Sequence, residues 1–96
     1  MICPKKVFVG GVAVAVERKD LTGEDCWGHY DHDEKLIALD LSLKGEKLRE
    51  TLRHEILEAS LMIGGPAWCD GMETEAIVRC HEEIFVPAWR NVSTKI

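Results

Sequence analysis

In the middle of the chain, residues 43–66 read LKGEKLRETLRHEILEASLMIGGP. Apolar side chains recur there every three or four residues, at Leu48, Leu52, Ile56, Ala59 and Ile63. This is the period of an α-helix that buries one face, so the pattern predicts a helix over residues 44–63. The helix should end at the Gly64-Gly65-Pro66 sequence, because glycine favours helix C-termini and proline cannot continue a helix.

The residues before this helix follow the two-residue period of β-strands. Residues 7–16 are rich in valine and interrupted only by Gly10-Gly11. Two apolar runs joined by two glycines predict a β-hairpin, since both turn residues can adopt positive φ. A second hairpin is predicted for residues 28–31 and 36–41, turning near residues 32–34, because apolar and other side chains alternate in its second arm.

The residues after the long helix predict a second helix that starts near Met72. Its apolar row is Ile77, Cys80, Ile84 and Ala88. Pro87 lies inside this pattern and should kink or restart the helix, because proline lacks the backbone N–H and clashes with residue 83. Strands followed by helices predict an α+β fold, with a small antiparallel sheet of N-terminal hairpins packed on two helices. Residues 1–96 should form a single domain.

Composition excludes several classes of protein. The 12 Lys and Arg residues are outnumbered by 17 Asp and Glu residues, giving a net charge of −5 and no extended basic cluster for nucleic acid. No apolar run is long enough to span a membrane, and no signal peptide is apparent, so a cytoplasmic location is expected. The four cysteines form no Cys-x-x-Cys pair, which favours free thiols over a zinc ribbon or a redox motif.

The long helix also carries a candidate chemical site at His54, Glu55 and Glu58. His54 and Glu58 are four residues apart, so both side chains project from one helix face and can hold one metal ion. Glu55 points to the side, where it could take a proton from a water molecule activated by the ion. The helical wheel places His54 and Glu58 between two apolar patches and predicts that other protein shelters them. It assigns the solvent-facing arc to Arg49, Arg53 and Ser60.

Four segments of the chain together resemble a known family. They are Gly10-Gly11 with the valine strand, WGHYD at residues 27–31, LIALD at residues 36–40 and TLRHEIL at residues 51–57. Their order is similar to that of small phage-encoded zincin-like metallopeptidases, relatives of the ImmA/IrrE-like and other gluzincin peptidases. The resemblance extends over about residues 7–90 and implies a minimal zincin-like domain of phage or mobile-element origin.

The resemblance assigns a role to each site residue. His54 matches the first zinc ligand, Glu55 matches the general base, and Glu58 occupies the second ligand position, where the family has histidine. Glu75 best matches the glutamate that a later helix supplies as third ligand. Residues 36–40 match the edge strand along which such peptidases bind an extended substrate.

Two further residues of the second helix are alternatives to Glu75. His81 could replace the missing histidine if its helix faces the site, although a core histidine is the simpler interpretation. Glu82 shares nearly the same helical face as Glu75. Zinc accepts carboxylate oxygen, and exchanging imidazole for carboxylate also brings Mn²⁺ or Mg²⁺ into consideration.

Two functions of different classes follow. The first is a metal-dependent peptidase in which Glu55 acts as general base and His54, Glu58 and Glu75 hold the ion. The second is a catalytically degenerate zincin-like module that binds a protein partner, or a second copy of itself, through an exposed strand edge. The acidic chain favours peptides or proteins as substrates or partners in both cases.

Overall fold

A computed structural model describes residues 3–65 and 74–93, with side chains from Ala76 onward in the second stretch. The elements in chain order are β1 (Lys6–Val9), β2 (Val12–Lys19), β3 (Gly28–Asp31), β4 (Leu36–Asp40), α1 (Gly45–Gly64), α2 (Thr74–Cys80), a π turn (His81–Phe85) and α3 (Val86–Ser93). The predicted α+β class is therefore confirmed, and the strands and α1 lie within a few residues of their predicted limits.

Both predicted hairpins form. In the first, β1 and β2 pair antiparallel, and the turn residues Gly10 and Gly11 have φ values of 56° and 80°. Residues other than glycine rarely adopt positive φ values at two successive positions, which explains the glycine pair. In the second hairpin, β3 and β4 also pair antiparallel.

The hairpins join into one four-stranded sheet of order β1-β2-β4-β3. The prediction of a wholly antiparallel sheet is wrong at one pair, since β2 and β4 run parallel. The expected role of β4 as an edge strand is also wrong, because β4 is paired on both sides. The edges of the sheet are β1 and β3. Both edge strands contact α1.

The core lies between one face of the sheet and the helices. Strand side chains on this face are buried, as in β1 and β2 at Val7, Val9, Val14 and Val16. The predicted stripe of α1 meets them, and Leu52, Ile56 and Ala59 have no exposed surface. Burial of this stripe fixes the rotation of α1, and therefore which of its other side chains face outward.

The segment that leads into α1 is held by a buried carboxylate at the end of β4. Asp40 accepts hydrogen bonds from the Leu21 N–H at 2.7 Å and the Ser42 N–H at 3.0 Å, and one from the Ser42 hydroxyl. Arg18 donates to the carbonyl oxygens of Asp40 and Leu43 at 3.0 and 2.7 Å. The hydrogen bonds from Ser42 and Leu21 lower the pKa of the Asp40 carboxyl below its ordinary value.

The second helical segment changes its geometry at the predicted place. The backbone N–H of Val86 donates to the carbonyl of His81, five residues earlier, which closes the π turn just before Pro87. The predicted restart near Pro87 is confirmed, because α3 begins at Val86. A π turn inserts one extra residue and so accommodates a proline that an unbroken α-helix would not.

The contact between α1 and this segment is close at Gly64. A Cβ atom there would lie 2.7 Å from Cys80 Sγ and from Ile84 Cδ1, so only glycine fits without a shift. Nearby, the Cys80 thiol donates to the Ser60 carbonyl at 3.0 Å. The prediction that Ser60 faces solvent is therefore wrong, since it is fully buried here. Cys80 is a small core residue, as predicted.

Two further expectations concern the whole chain. Within residues 3–65 and 74–93, no helix combines the length and the apolar character that a membrane span requires. Cys3, Cys26 and Cys80 are free thiols, as predicted. Cys69 lies outside the described residues.

Candidate metal centre

His54 and Glu58 project from one face of α1, as their spacing predicts. His54 Nε2 lies 4.0 Å from Glu58 Oε2. Their side chains are 74% and 48% exposed, so the prediction that other protein shelters both groups is wrong. The second helical segment packs against α1 at Ser60, and this packing leaves the His54 and Glu58 side chains open to solvent.

Glu55 is the buried member of the group. Only 4% of its surface is exposed, and its Oε1 atom has no hydrogen-bond partner among the described residues. Burial, together with repulsion by the Glu58 carboxylate and a hydrogen bond with it, raises the pKa of Glu55 to about 7. A buried carboxylate oxygen without a donor is destabilising unless a proton or a cation compensates it.

The three side chains converge on one point in space. Each of His54, Glu55 and Glu58 offers a ligand atom, and these atoms all lie within 4.8 Å of one another. Among the residues that the structure describes, no other three or more His, Cys, Asp or Glu side chains converge in this way. One imidazole nitrogen and carboxylate oxygens suit Zn²⁺, Mn²⁺ or Mg²⁺. A cation would also compensate the Glu55 oxygen that has no hydrogen-bond partner, so the residues fit a bound metal.

Two pockets flank His54. One, of about 340 Å³, lies between α1 and the start of β3, and His54 and Glu55 line it with Trp27 and Gly28. The other, of about 360 Å³, lies between α1 and the π turn, and His54 lines it opposite His81. The His54 imidazole therefore stands between two cavities, one beside an edge strand and one beside the second helical segment.

The three predicted candidates for the third ligand occupy different positions relative to His54. Glu75 lies outside the residues whose side chains the structure describes. His81 is exposed and lines the 360 Å³ pocket with His54, so the simpler interpretation of a core histidine is wrong. Glu82 is exposed and lines neither pocket beside His54.

Two residues near the site, Trp27 and Phe85, were not predicted from the sequence to belong to it. Trp27 is 55% exposed and forms a wall of the pocket beside Glu55. Phe85 stacks on His81, with ring centroids 5.2 Å apart, because both belong to the π turn. Pro87 was the only sequence signal of that irregular geometry.

The raised pKa of Glu55 predicts how stability depends on pH. Folded Glu55, with a pKa of about 7 against an ordinary 4.5, holds its proton more tightly than the unfolded chain does. The protonated carboxyl therefore stabilises the fold below pH 4.5, and this contribution is lost as pH rises through 7. We expect metal-free protein to lose about 2 kcal/mol in free energy of unfolding from this group between about pH 5 and pH 8.

Urea denaturation across this pH range measures the effect. Glu55→Gln should remove most of the dependence, because the amide stays neutral at every pH. Glu34→Gln, in the exposed turn between β3 and β4, should keep the wild-type dependence. An unchanged pH profile in Glu55→Gln would contradict the assignment of the shift to this carboxyl.

Comparison with known proteins found no relative of this chain. No protein-family model matches the chain, and neither curated proteins nor solved structures include a match. The site is therefore interpreted from its own geometry.

Proposed function

We propose that this protein is a metal-dependent hydrolase of peptide bonds whose site is centred on His54, Glu55 and Glu58. One observation carries the proposal. A buried carboxylate with an unpartnered oxygen lies within 4.8 Å of the ligand atoms of a histidine and a second glutamate spaced four residues apart. The TLRHEIL segment, which resembles zincin-like peptidases, supports the same interpretation.

His54 and Glu58 would hold the ion, with zinc as the first candidate and Mn²⁺ or Mg²⁺ as alternatives. A bound ion supplies positive charge that polarises a peptide carbonyl and makes water more acidic. We expect a third protein ligand to come from the second helical segment. The exposure of His54 and Glu58 allows a substrate to approach them from solvent.

Glu55 would be the proton acceptor of the reaction. Its Oε1 has no competing hydrogen bond among the described residues, and its pKa of about 7 means that it can both accept and return a proton near neutral pH. Burial between α1 and the sheet limits its movement, so the carboxylate is held in place for the transfer.

The substrate would be an extended peptide lying beside β3. This strand is an edge of the sheet, so it has unpaired backbone groups that another strand can bind. The 340 Å³ pocket connects the start of β3 with His54 and Glu55, and Trp27 provides an apolar wall. β3 thus takes the role that the sequence had assigned to β4.

The unpaired edge of β3 also favours a second candidate function. A module that binds a peptide, a partner protein or a second copy of the chain along β3 needs Trp27 and the strand edge but no ion. The net charge of −5 favours protein partners over nucleic acid for either function.

Metal binding and hydrolysis distinguish the two candidates. Chelator competition with Zn²⁺, Mn²⁺ and Mg²⁺ should detect binding by wild type and a loss of about tenfold or more in His54→Ala. A quenched-peptide library should be cleaved by the zinc-loaded wild type and not by zinc-loaded Glu55→Gln. Failure of all three metals to bind wild type would refute the hydrolase, whereas peptide binding without cleavage would favour the module.

A further inference from the structure

We propose that a peptide bound along β3 pairs with the backbone of Gly28 and Tyr30 and places an aromatic side chain in the 340 Å³ pocket beside the candidate metal centre. This inference rests on the proposed function, which puts the peptide at this edge, and it adds the class of substrate. Trp27 is then the residue that selects the substrate.

The hydrogen-bond pattern between β3 and β4 shows which backbone groups of β3 are free. The Asp40 N–H donates to the Trp27 carbonyl at 2.9 Å, and the antiparallel register then continues without a break to the end of β3. In an antiparallel pair, hydrogen-bonded positions alternate with positions whose N–H and C=O groups point away from the partner strand. His29 therefore bonds to β4, as Trp27 does. The N–H and C=O groups of Gly28 and Tyr30 point instead toward the free edge.

The same alternation fixes where the side chains of a bound peptide point. Tyr30 is buried in the core, and a Cβ atom on Gly28 would lie 3.0 Å from the Thr51 methyl group, so both strand residues face α1. Aligned residues of neighbouring strands point to the same face of a sheet. The peptide residue aligned with Gly28 therefore directs its side chain toward α1, whether the peptide runs parallel or antiparallel to β3.

The pocket of about 340 Å³ lies where this side chain points. It is located between Gly28 and the part of α1 that carries Thr51, His54 and Glu55. Glycine at position 28 has no side chain of its own to fill this space. The peptide side chain aligned with Gly28 therefore lies next to the residues that we propose to act on the peptide bond.

The walls of the pocket favour a neutral aromatic side chain. Lys47 and Glu50 both line it, so their opposite charges offset each other and neither an acidic nor a basic side chain is preferred. Trp27 is 55% exposed and offers an indole ring, on which another aromatic ring packs with a gain beyond the burial of apolar surface alone. A volume of about 340 Å³ is ample for one large side chain.

Peptide binding by the metal-free protein tests the inference without an activity assay, because backbone pairing needs no ion. The probes are two capped pentapeptides, Thr-Val-Phe-Val-Thr and Thr-Val-Ala-Val-Thr, which differ only at the central residue. Wild type should bind the phenylalanine peptide about tenfold more tightly or better. Trp27→Ala should lose most of this preference. Phe8→Ala is the matched control and should keep it, because Phe8 is an aromatic residue of similar exposure, 53%, on the other edge strand.

Amide hydrogen exchange followed by NMR tests the backbone pairing separately. In the free protein, the N–H groups of Gly28 and Tyr30 should exchange faster than that of His29, which bonds to β4. Saturating phenylalanine peptide should slow the exchange of Gly28 and Tyr30 by about tenfold or more and leave His29 nearly unchanged.

The outcomes separate this inference from the function on which it rests. Equal affinity of wild type for the two peptides, or unchanged exchange of Gly28 and Tyr30 in the complex, would overturn the inference. Cleavage of peptides by the zinc-loaded protein would then leave the hydrolase standing. Selective binding that protects both amides, in a protein that binds no metal, would support the inference and refute the hydrolase. Equal loss of selectivity in Trp27→Ala and Phe8→Ala would overturn Trp27 as the selecting residue.

Discussion

Zinc affinity is expected to rise about tenfold or more when Glu58 is replaced by histidine, a change of at least about 1.4 kcal/mol in binding free energy. Position 58 already lies one turn beyond His54, with the two ligand atoms 4.0 Å apart, so an imidazole needs no change of backbone. Imidazole suits zinc better than a carboxylate does, and the exchange also removes a negative charge.

The removed charge affects Glu55 as well. Burial and, after it, repulsion by Glu58 raise the pKa of Glu55, so Glu58→His should lower that pKa and increase the fraction of ionised Glu55 at neutral pH. An ionised base and a more electrophilic ion should both raise the rate of peptide hydrolysis.

Competition with a chromophoric zinc chelator measures the affinity. Glu58→Gln is the matched control, because it removes the same charge without providing a strong zinc ligand, and it should bind zinc more weakly than wild type. Equal affinities in Glu58→His and Glu58→Gln would mean that position 58 does not contact the ion.

Leu52→Ala is expected to lower the free energy of unfolding by about 3 kcal/mol. Leu52 lies at the centre of the α1 stripe, packs in the main core and has no exposed surface. Truncation removes buried methyl groups and leaves a cavity that the surrounding side chains fill only in part. For a domain of this size, that is a large share of the total stability.

Leu41→Ala provides the comparison, since Leu41 is 59% exposed and should change the free energy of unfolding by less than about 1 kcal/mol. Urea denaturation of both variants at one pH measures the difference. Similar losses in the two variants would contradict the assignment of Leu52 to the core that fixes the rotation of α1.

The sequence predicted those parts of the fold that depend on local patterns. Gly10-Gly11 predicted the first turn, and the stripe through Leu52 and Ile56 predicted α1, because these signals come from residues close together in the chain. The parallel pairing of β2 with β4 could not be predicted in the same way. Alternation says which face of a strand is buried, but not which strand lies beside it.

The sequence predicted which residues form the candidate site better than it predicted how exposed those residues are. The spacing of His54 and Glu58 follows from helix geometry, and the ligand atoms do converge. Exposure depends on where the second helical segment crosses α1, which the wheel of a single helix cannot specify. That crossing buries Ser60 and leaves His54 open. The π turn, which directs His81 toward the pocket, had only Pro87 as its signal.

The parallel pairing within the sheet also has a consequence for the order of folding. Each hairpin pairs nearby residues, the most distant being Gly28 with Leu39, whereas the seam between β2 and β4 joins residues as far apart as Ala15 and Leu36. Closing a longer loop loses more chain entropy, so the hairpins can form early and the seam should form late. We therefore expect the docking of the two hairpins along β2 and β4 to limit the rate of folding.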